Sequence, residues 1–297
     1  MDAPRALRVR CPAKINLGLW ILGRRKDGYH EIDTILQTVM LEDELVLEMR
    51  PRGFSFESRG LPIPGTGPNL VERAWHLLEE RAGSRARGIH ARLTKRIPVG
   101  GGLGGGSSDA AGLLVGANRL LDLGLEKSEL QDFAVRLGAD VCFFIDGGTA
   151  RATGRGDQVR HLCPPPPIWV VLAMPPVAIS TTWAYGRVRN SLTAPGGGAN
   201  MLAAALATGG WDVIAPRLHN DFEDVVLPEV PIVAELRRAF ESSGALGSLL
   251  SGSGSTIFGL ATTRDEARRV AERVGTFGAR IQVVRCTERG VTVAELV

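Results

Sequence analysis

The sequence has few of the residues that mark several common protein classes. Its four cysteines, Cys11, Cys142, Cys163 and Cys286, stand far apart without a Cys-x-x-Cys pair, so neither a disulfide framework nor a zinc site is indicated. The longest apolar stretch, residues 168–179, is too short to span a bilayer and contains two prolines. The N-terminus lacks the apolar segment of a signal peptide. We therefore expect a soluble cytoplasmic protein without a membrane partner.

Charges of the two signs nearly balance over the whole chain. The chain has 35 Lys and Arg against 32 Asp and Glu, which leaves a formal net charge of +3 without a basic tail or stripe. Nucleic acid is therefore not indicated as a partner. The 297 residues exceed the usual size of a single core, so two domains are expected. We place their boundary at the proline run 164–167, giving domains 1–163 and 164–297. The sequence leaves monomer and homodimer equally open.

Glycine is the residue type in excess, since 37 glycines make about one residue in eight, against roughly 7% in an average soluble protein. Six of them lie within the seven positions 100–106, directly before two serines. Alternating apolar residues over 89–93 predict a strand that leads into this loop, and the Ala/Leu-rich segment 109–121 predicts a helix that follows it. Bare N–H groups of such a loop can surround an anion, and the helix directs its partial positive end there. The pattern favours a phosphate-binding loop over a flexible linker.

Better-known glycine loops do not fit this sequence. A Walker A loop needs Lys and then Ser or Thr after its last glycine, whereas Gly106 is followed by Ser107. The HRD and DFG elements of protein kinases are absent from the sequence. A GxGxxG match at Gly100 is weak because any glycine run produces it, and the polar face of the preceding strand is unlike a Rossmann first strand.

Patterns along the rest of the chain predict a mixture of strands and helices. Residues 7–19 alternate, which predicts a half-buried strand with Lys14 and Asn16 on its solvated face. The other expectations are a strand at 35–49, a helix capped by Asn69 that ends by Gly83, a helix capped by Ser128 with Gln131 that closes at Gly138, a buried strand at 168–174, a mobile loop at 194–199, helices at 232–241 and from Thr263 to Val274, and a closing strand at 282–285.

The segment Pro98-x-Gly-Gly-Gly-Leu-Gly-Gly-Gly-Ser-Ser resembles the central phosphate loop of the GHMP kinases, a family of small-molecule kinases. Three other segments resemble family motifs in the same order: Pro12-Ala-Lys-Ile-Asn16, Leu137-Gly-Ala-Asp-Val141 and Leu249-Leu-Ser-Gly-Ser-Gly-Ser-Thr-Ile-Phe258. The resemblance implies a two-domain α/β (α+β) fold, with an N-terminal ATP-binding domain and a C-terminal ferredoxin-like domain. The active site would lie between them.

The same resemblance implies roles for single residues. Lys14 would hold the acceptor hydroxyl and stabilise its developing charge, and Asp140 would be the general base that takes the hydroxyl proton. Without the resemblance, an aspartate at a helix end is a turn former or a cap. The expected ATP-binding residues are Asn69, Lys95, Pro98, Val99, Gly100, Gly101, Gly102, Leu103, Gly104, Gly105, Gly106, Ser107 and Ser108.

Three further expectations concern Lys95, the metal ion and substitutions in the glycine loop. Lys95 lies in the apolar phase of its strand, where a charge indicates either an ATP contact or a frayed strand end. Mg²⁺ is expected because ATP carries it, with Ser107 or Ser108 as a ligand and no acidic ligand identified. A bulkier residue at Gly102 or Gly104 should weaken ATP binding while the fold stays largely in place.

The segment Ala-Lys-Ile-Asn-Leu17, followed by Asp27-Gly-Tyr-His30, resembles one branch of the family. That branch uses ATP to phosphorylate the 2-hydroxyl of 4-diphosphocytidyl-2-C-methyl-D-erythritol, in the non-mevalonate route to isopentenyl diphosphate. The resemblance implies substrate contacts from Asn16, Tyr29, His30, Tyr185 and Gly252, with the cytosine held between the two tyrosines. Trp183 is the alternative to Tyr185. The alternative hypotheses about function are a GHMP kinase for homoserine, mevalonate or a sugar, a non-catalytic nucleotide-binding relative and a dinucleotide-dependent oxidoreductase.

Overall fold

The computed structural model describes residues 6–65, 67–83, 88–188, 197–275 and 278–296. Its first half contains β1 (Ala6–Arg24), β2 (His30–Arg50), β3 (Phe54–Gly60), α1 (Leu70–Ala82), β4 (Gly88–Lys95), α2 (Gly105–Leu120), α3 (Lys127–Leu137), α4 (Ala139–Asp146), β5 (Thr149–Gly154) and β6 (Gln158–His161). The second half contains β7 (Trp169–Met174), α5 (Thr181–Tyr185), α6 (Gly197–Thr208), α7 (Trp211–Ile214), a 3-10 turn (Ala215–Arg217), β8 (His219–Asn220), α8 (Glu223–Glu229), α9 (Pro231–Ser242), β9 (Ser248–Leu250), β10 (Ile257–Ala261), α10 (Arg264–Val274), β11 (Arg280–Arg285) and β12 (Thr292–Glu295).

The larger sheet has eight strands and is built around the long antiparallel pair β1 and β2. Its main path runs β12-β1-β2-β4-β3, with β5 and β6 attached beside β2 and β8 attached to β1. Helices α1 to α4 share one apolar core with this sheet, in which Trp75, Phe143 and Phe144 are the largest fully buried side chains. The helix that follows the glycine loop, α2, lies inside this core and is therefore held rigidly.

The smaller sheet has four antiparallel strands in the spatial order β11-β7-β10-β9. Along the chain these strands alternate with α9 and α10 as β7-α9-β9-β10-α10-β11, which is the β-α-β-β-α-β arrangement of a ferredoxin-like unit. The mixed α/β fold predicted from the sequence, with a ferredoxin-like second part, is confirmed.

The first strand is more buried than its alternation predicts. The apolar phase is fully buried as expected, but Lys14 and Asn16 of the other phase are only 4% and 3% exposed. The two glycine-rich segments cover this face, since Cβ positions on Gly104 and Gly252 would each lie 3.1 Å from the Lys14 side chain. On the opposite face of the strand, Ala13, Ile15 and Leu17 pack against the smaller sheet. The prediction of a solvated polar face is therefore wrong at these two positions.

Several element boundaries also differ from the sequence prediction. Helix α2 starts at Gly105 inside the loop rather than at position 109, because the glycines there adopt helical conformation. The capping box of α3 is formed by Glu126 and Glu129, two residues earlier than the predicted Ser128 box. Of the predicted loop 194–199, residues 194–196 lie outside the described residues, and the remaining three begin helix α6.

The chain continues beyond the last strand of the smaller sheet. Strand β11 forms as predicted, but β12 follows it and pairs with β1 of the larger sheet. Strand β8 also pairs with β1 from beyond the proline run. The boundary at 164–167 stays a prediction, and a cut there would remove two strands from the larger sheet. In the described residues, no helix combines the length and apolar character needed to cross a membrane.

Candidate active site

The glycine loop is held from behind by hydrogen bonds to its carbonyl oxygens. Four successive carbonyls, from Gly100 to Leu103, accept hydrogen bonds from Ile179 N (3.0 Å), Thr256 N (3.2 Å), Ser251 Oγ (2.9 Å) and Lys14 N (3.0 Å). Within the described part of the chain, no N–H group of residues 100–107 donates a hydrogen bond to another protein group. The loop therefore offers a set of unused N–H donors, which is the chemistry of an anion-binding site.

Two glycines of the loop have no space for a side chain. Gly102 has a φ of +75°, and a Cβ there would lie 1.9 Å from the carbonyl oxygen of Ser251. Gly104 has a φ of +70°, and its Cβ would lie 2.7 Å from the ring of Phe144. A bulkier residue at either position must therefore shift the packing that holds the loop, and the expectation that the fold stays largely in place remains a prediction.

Lys14 and Asn16 project from β1 into the cavity beneath this loop. Lys14 Nζ donates to Asn16 Oδ1 at 2.6 Å, and Asn16 Nδ2 donates to Thr34 Oγ1 at 2.8 Å. Burial lowers the pKa of Lys14, and the negative charge of Asp140 opposes this effect. Asp140 lies in the first turn of α4 and lines the same cavity. The structure thus brings together the buried amine and the carboxylate that the sequence singled out.

The second glycine segment closes over the same amine. A Cβ on Gly252 would lie 3.1 Å from Lys14 Nζ and 3.4 Å from Asn16 Oδ1. Its φ of +55° is one that favours glycine. Gly252 and Ser253 line the cavity together with the first loop, so the two glycine-rich segments form adjacent walls of one site.

Lys95 does not line this cavity. Its Nζ donates to Asp43 Oδ2 at 2.5 Å and to Asp109 Oδ2 at 2.6 Å, and its side chain is 1% exposed. Burial lowers its pKa, but the two carboxylates outweigh burial and raise it overall. The expected ATP contact does not fit this position. We assign Lys95 to a hydrogen-bonded triad with Asp43 and Asp109 beneath the loop, where it ties β2 and β4 to α2.

The remaining loop residues divide between the cavity and the interior. Asn69 uses its side-chain oxygen to cap α1, and the cavity is lined by its neighbour Leu70. Ser107 lines the cavity, whereas Ser108 is fully buried and its Oγ has no hydrogen-bond partner within the described residues. The other predicted ATP-binding residues that line the cavity are Pro98, Val99, Gly100, Gly101, Gly102, Leu103, Gly104, Gly105 and Gly106.

An aromatic cavity adjoins the loop cavity. Tyr29, His30 and Tyr185 all line it, but the ring of Tyr185 already stacks on His30 with centroids 4.7 Å apart. A slot between the two tyrosines is therefore not preformed, and His30 occupies one face of Tyr185. Trp183 packs under Arg187 and is not part of the lining, so Tyr185 is the better placed of the two candidates.

The two cavities are continuous. The loop cavity has a volume of about 530 Å³ and the aromatic cavity about 620 Å³. They share the lining residues Tyr29, Arg155, Thr181 and Tyr185. The space is large enough for a nucleotide at the loop and a second molecule that reaches from Lys14 to the aromatic rings.

Sequence reasoning missed several residues that build this site. Ser251 and Thr256 hold the loop, and Asp43 and Asp109 hold Lys95. Arg155 was also missed, although its position between two glycines signalled an exposed turn that could present a charge. The first four act through contacts between segments far apart in sequence, which no local pattern reports.

Comparison with known families agrees with this geometry. The model described as GHMP kinases N terminal domain matches residues 69–148, and the model described as GHMP kinases C terminal matches residues 202–280. The chain belongs to the GHMP kinase family. Both matched segments contribute to the site, since the first contains the glycine loop and Asp140 and the second contains Gly252.

Individual GHMP kinases show similarity over nearly the whole chain. A 4-diphosphocytidyl-2-C-methyl-D-erythritol kinase from Symbiobacterium thermophilum is 43% identical, covering 94% of this chain and 99% of the relative. The kinase of the same name from Gloeobacter violaceus is 40% identical, covering 98% of both chains. A crystal structure of 4-(cytidine 5'-diphospho)-2C-methyl-D-erythritol kinase superposes with a TM-score of 0.80 at 37% identity, covering 94% of this chain and 98% of that one. A homoserine kinase structure from Cytophaga hutchinsonii reaches the same TM-score at 22% identity and shows the shared fold alone.

Proposed function

We propose that this chain transfers the γ-phosphoryl group of ATP to the 2-hydroxyl of 4-diphosphocytidyl-2-C-methyl-D-erythritol. The observation that carries the proposal is the continuity of the loop cavity with the aromatic cavity. One end offers unused N–H donors beside Lys14 and Asp140, and the other offers aromatic rings. The nearly full-length relatives named for this reaction support it.

The glycine loop would hold the phosphates of ATP. Its N–H groups and the N-terminus of α2 neutralise negative charge without a covalent role. Because the loop carbonyls are already bonded to the protein, these donors are fixed before ATP arrives. Preorganised donors of this kind supply much of the rate in phosphoryl transfer.

Lys14 and Asp140 would act on the acceptor. As the acceptor oxygen bonds to the γ-phosphorus, the bond from that phosphorus to the bridging oxygen breaks and ADP leaves. Asp140 takes the hydroxyl proton, and the ammonium group of Lys14 stabilises the charge on the acceptor oxygen and the transferring group. Asn16 fixes the position of that ammonium through its 2.6 Å hydrogen bond.

Magnesium fits this site as an ion bound mainly by the phosphates of ATP. No cluster of three His, Cys, Asp or Glu side chains able to hold a metal exists among the described residues, so a protein cage is not indicated there. Of the two serines considered, Ser107 lines the cavity and Ser108 does not. Ser107 would be the protein ligand. When bound, the ion supplies charge neutralisation between phosphate oxygens.

The aromatic cavity would select the base. Burial, together with the positive charge of Arg24, lowers the pKa of His30 and so favours the neutral ring, which has one donor and one acceptor nitrogen. A neutral ring can hydrogen-bond to the edge of a cytosine. The rings of Tyr29 and Tyr185 line the same cavity and can stack on the base.

The direct test is an acceptor comparison. The protein is incubated with ATP and Mg²⁺ and with 4-diphosphocytidyl-2-C-methyl-D-erythritol, homoserine, mevalonate or a sugar, and the product is identified by phosphorus NMR. We expect turnover of the cytidine compound alone, at a phosphorylated 2-hydroxyl. Turnover of homoserine without the cytidine compound would overturn the proposal, and absence of any turnover would favour a non-catalytic relative.

A further inference from the structure

Arg155 lies at the tip of the tight turn between β5 and β6. Gly154 and Gly156 flank it with φ values of +72° and +97°, and Gly156 N donates to Thr153 O at 3.0 Å to close the turn. The side chain is tethered by Asp157, whose Oδ2 accepts from Nε at 3.1 Å and from Nη2 at 2.9 Å. The turn and this ion pair hold the guanidinium group in one place.

The guanidinium group lies over an aromatic ring of the proposed base pocket. Its Cζ is 5.0 Å from the ring centroid of Tyr29, a distance typical of a cation–π contact. A guanidinium group has five N–H donors, and Asp157 uses two of them. In the described part of the structure, the other three make no hydrogen bond to protein, although the side chain is only one-third exposed.

Arg155 is also the one Lys or Arg side chain that lines both cavities within the described residues. Lys14 lines only the loop cavity, and Arg24 lines only the aromatic cavity. If the base lies among the aromatic rings and the acceptor hydroxyl lies at Lys14 and Asp140, the diphosphate that links them must pass through the junction of the two cavities, which Arg155 lines. A planar cation with free donors matches a diphosphate at that point.

We propose that Arg155 binds the diphosphate group of a cytidine diphosphate-linked acceptor, with the turn 154–157 presenting it at the junction of the two cavities. This inference rests on the proposed function, since it needs the base at one end and the hydroxyl at the other. Its contact with Tyr29 couples the two subsites, because the same guanidinium group packs on the ring that stacks the base.

The test compares two ligands that differ only in the diphosphate. Affinities for cytidine and for cytidine 5'-diphosphate are measured by calorimetry on the wild-type protein and on Arg155→Gln. We expect the wild type to prefer the diphosphate, and we expect Arg155→Gln to lower that preference about tenfold or more while cytidine affinity changes little. Arg155→Lys should retain part of the preference because it keeps the charge but loses the planar fork.

Arg160 provides a matched control, because it is an exposed arginine on β6 outside both linings. Arg160→Gln should bind both ligands as the wild type does. In kinetics, Arg155→Gln should raise KM for the cytidine acceptor about tenfold with KM for ATP unchanged. An equal loss of affinity for both ligands would show that Arg155 only supports Tyr29, and an unchanged preference would also overturn the proposal. Wild-type protein that binds neither ligand would instead contradict the proposed function itself.

Discussion

At the residue scale, the site depends on charged groups that are held where little water reaches them. Lys14 is 4% exposed and bonded to Asn16, so its ammonium group is fixed in position, and Asp140 faces the same cavity from α4. Burying an amine away from water is costly, and ionisable groups perturbed by burial cluster at functional sites. This pair is therefore where the chemistry of the reaction is expected.

Asp140→Asn tests the base directly. The amide keeps the size of the side chain but cannot accept the hydroxyl proton, so kcat should fall by about a hundredfold or more. ATP affinity should change little, because the proposed phosphate site is the glycine loop and not Asp140. Steady-state kinetics and calorimetry measure the two effects. Asp132→Asn, an exposed change on the neighbouring α3, is the control and should leave both values unaltered. Unimpaired turnover in Asp140→Asn would remove this residue from the mechanism.

At the scale of elements, three segments meet to fix the glycine loop. Strand β1 bonds it through the backbone of Lys14, the 251–256 segment bonds it through Ser251 and Thr256, and the Lys95 triad anchors the helix that follows. The loop is thus part of the interface between the two halves of the chain. Changes in it should affect stability and ATP binding together.

Gly102→Ala should show this coupling. The new Cβ would meet the Ser251 carbonyl oxygen at 1.9 Å, so the two loops must separate. We expect ATP affinity to fall about tenfold or more and Tm to drop. Gly124→Ala is a matched control, since Gly124 also has a positive φ, of +67°, but no atom lies within 4 Å of its Cβ position. That change should cost about 1 kcal/mol of stability and leave ATP affinity unchanged. Equal effects of the two variants on ATP affinity would contradict the role given to the loop contact.

The Lys95 triad predicts a pH dependence of stability. Burial raises the pKa of Asp109 to about 8; Lys95 opposes the rise and Asp43 adds to it. An unfolded aspartate titrates near 4, so this group favours the folded state fully below about pH 4, and its contribution is lost as pH rises to about 8. Asp109→Asn cannot ionise and should lack this loss. Between pH 5 and 9, Tm of the wild type should fall about 5 °C or more beyond that of the variant. Parallel Tm curves for the two proteins would refute this assignment.

At the scale of the whole molecule, the sequence predicted the parts of the site that local motifs carry. Recognisable segments carry the glycine loop, Lys14, Asp140 and the pair Tyr29 and His30. The structure brings all of them to the two joined cavities. The burial of Lys14 could not be predicted, because it results from two glycine-rich segments, distant in sequence, that close over this face of β1. The same limit applies to Lys95, whose partner Asp43 lies on another strand of the same sheet. Local alternation reports which face a side chain takes, and only the tertiary fold decides what covers that face.

The whole molecule also explains why the loop cavity is lined by residues from both halves of the chain. Strand β1 of the larger sheet supplies Lys14, and the glycine loop follows strand β4 of the same sheet. Helix α5, on which Tyr185 lies, follows strand β7 of the smaller sheet. Strands β8 and β12 return to β1, so the two halves are joined at more than one place. This arrangement is suited to holding two ligands at a fixed distance.

The central claim is that a single cavity holds both substrates with the acceptor hydroxyl at Lys14 and Asp140. The most direct measurement is a crystal structure of the protein with a non-hydrolysable ATP analogue and 4-diphosphocytidyl-2-C-methyl-D-erythritol. The account predicts the γ-phosphate at the N–H groups of the glycine loop, the cytosine against Tyr29, His30 and Tyr185, and the 2-hydroxyl within hydrogen-bond distance of Asp140. A cytosine bound outside the aromatic cavity, or a hydroxyl turned away from Asp140, would contradict it.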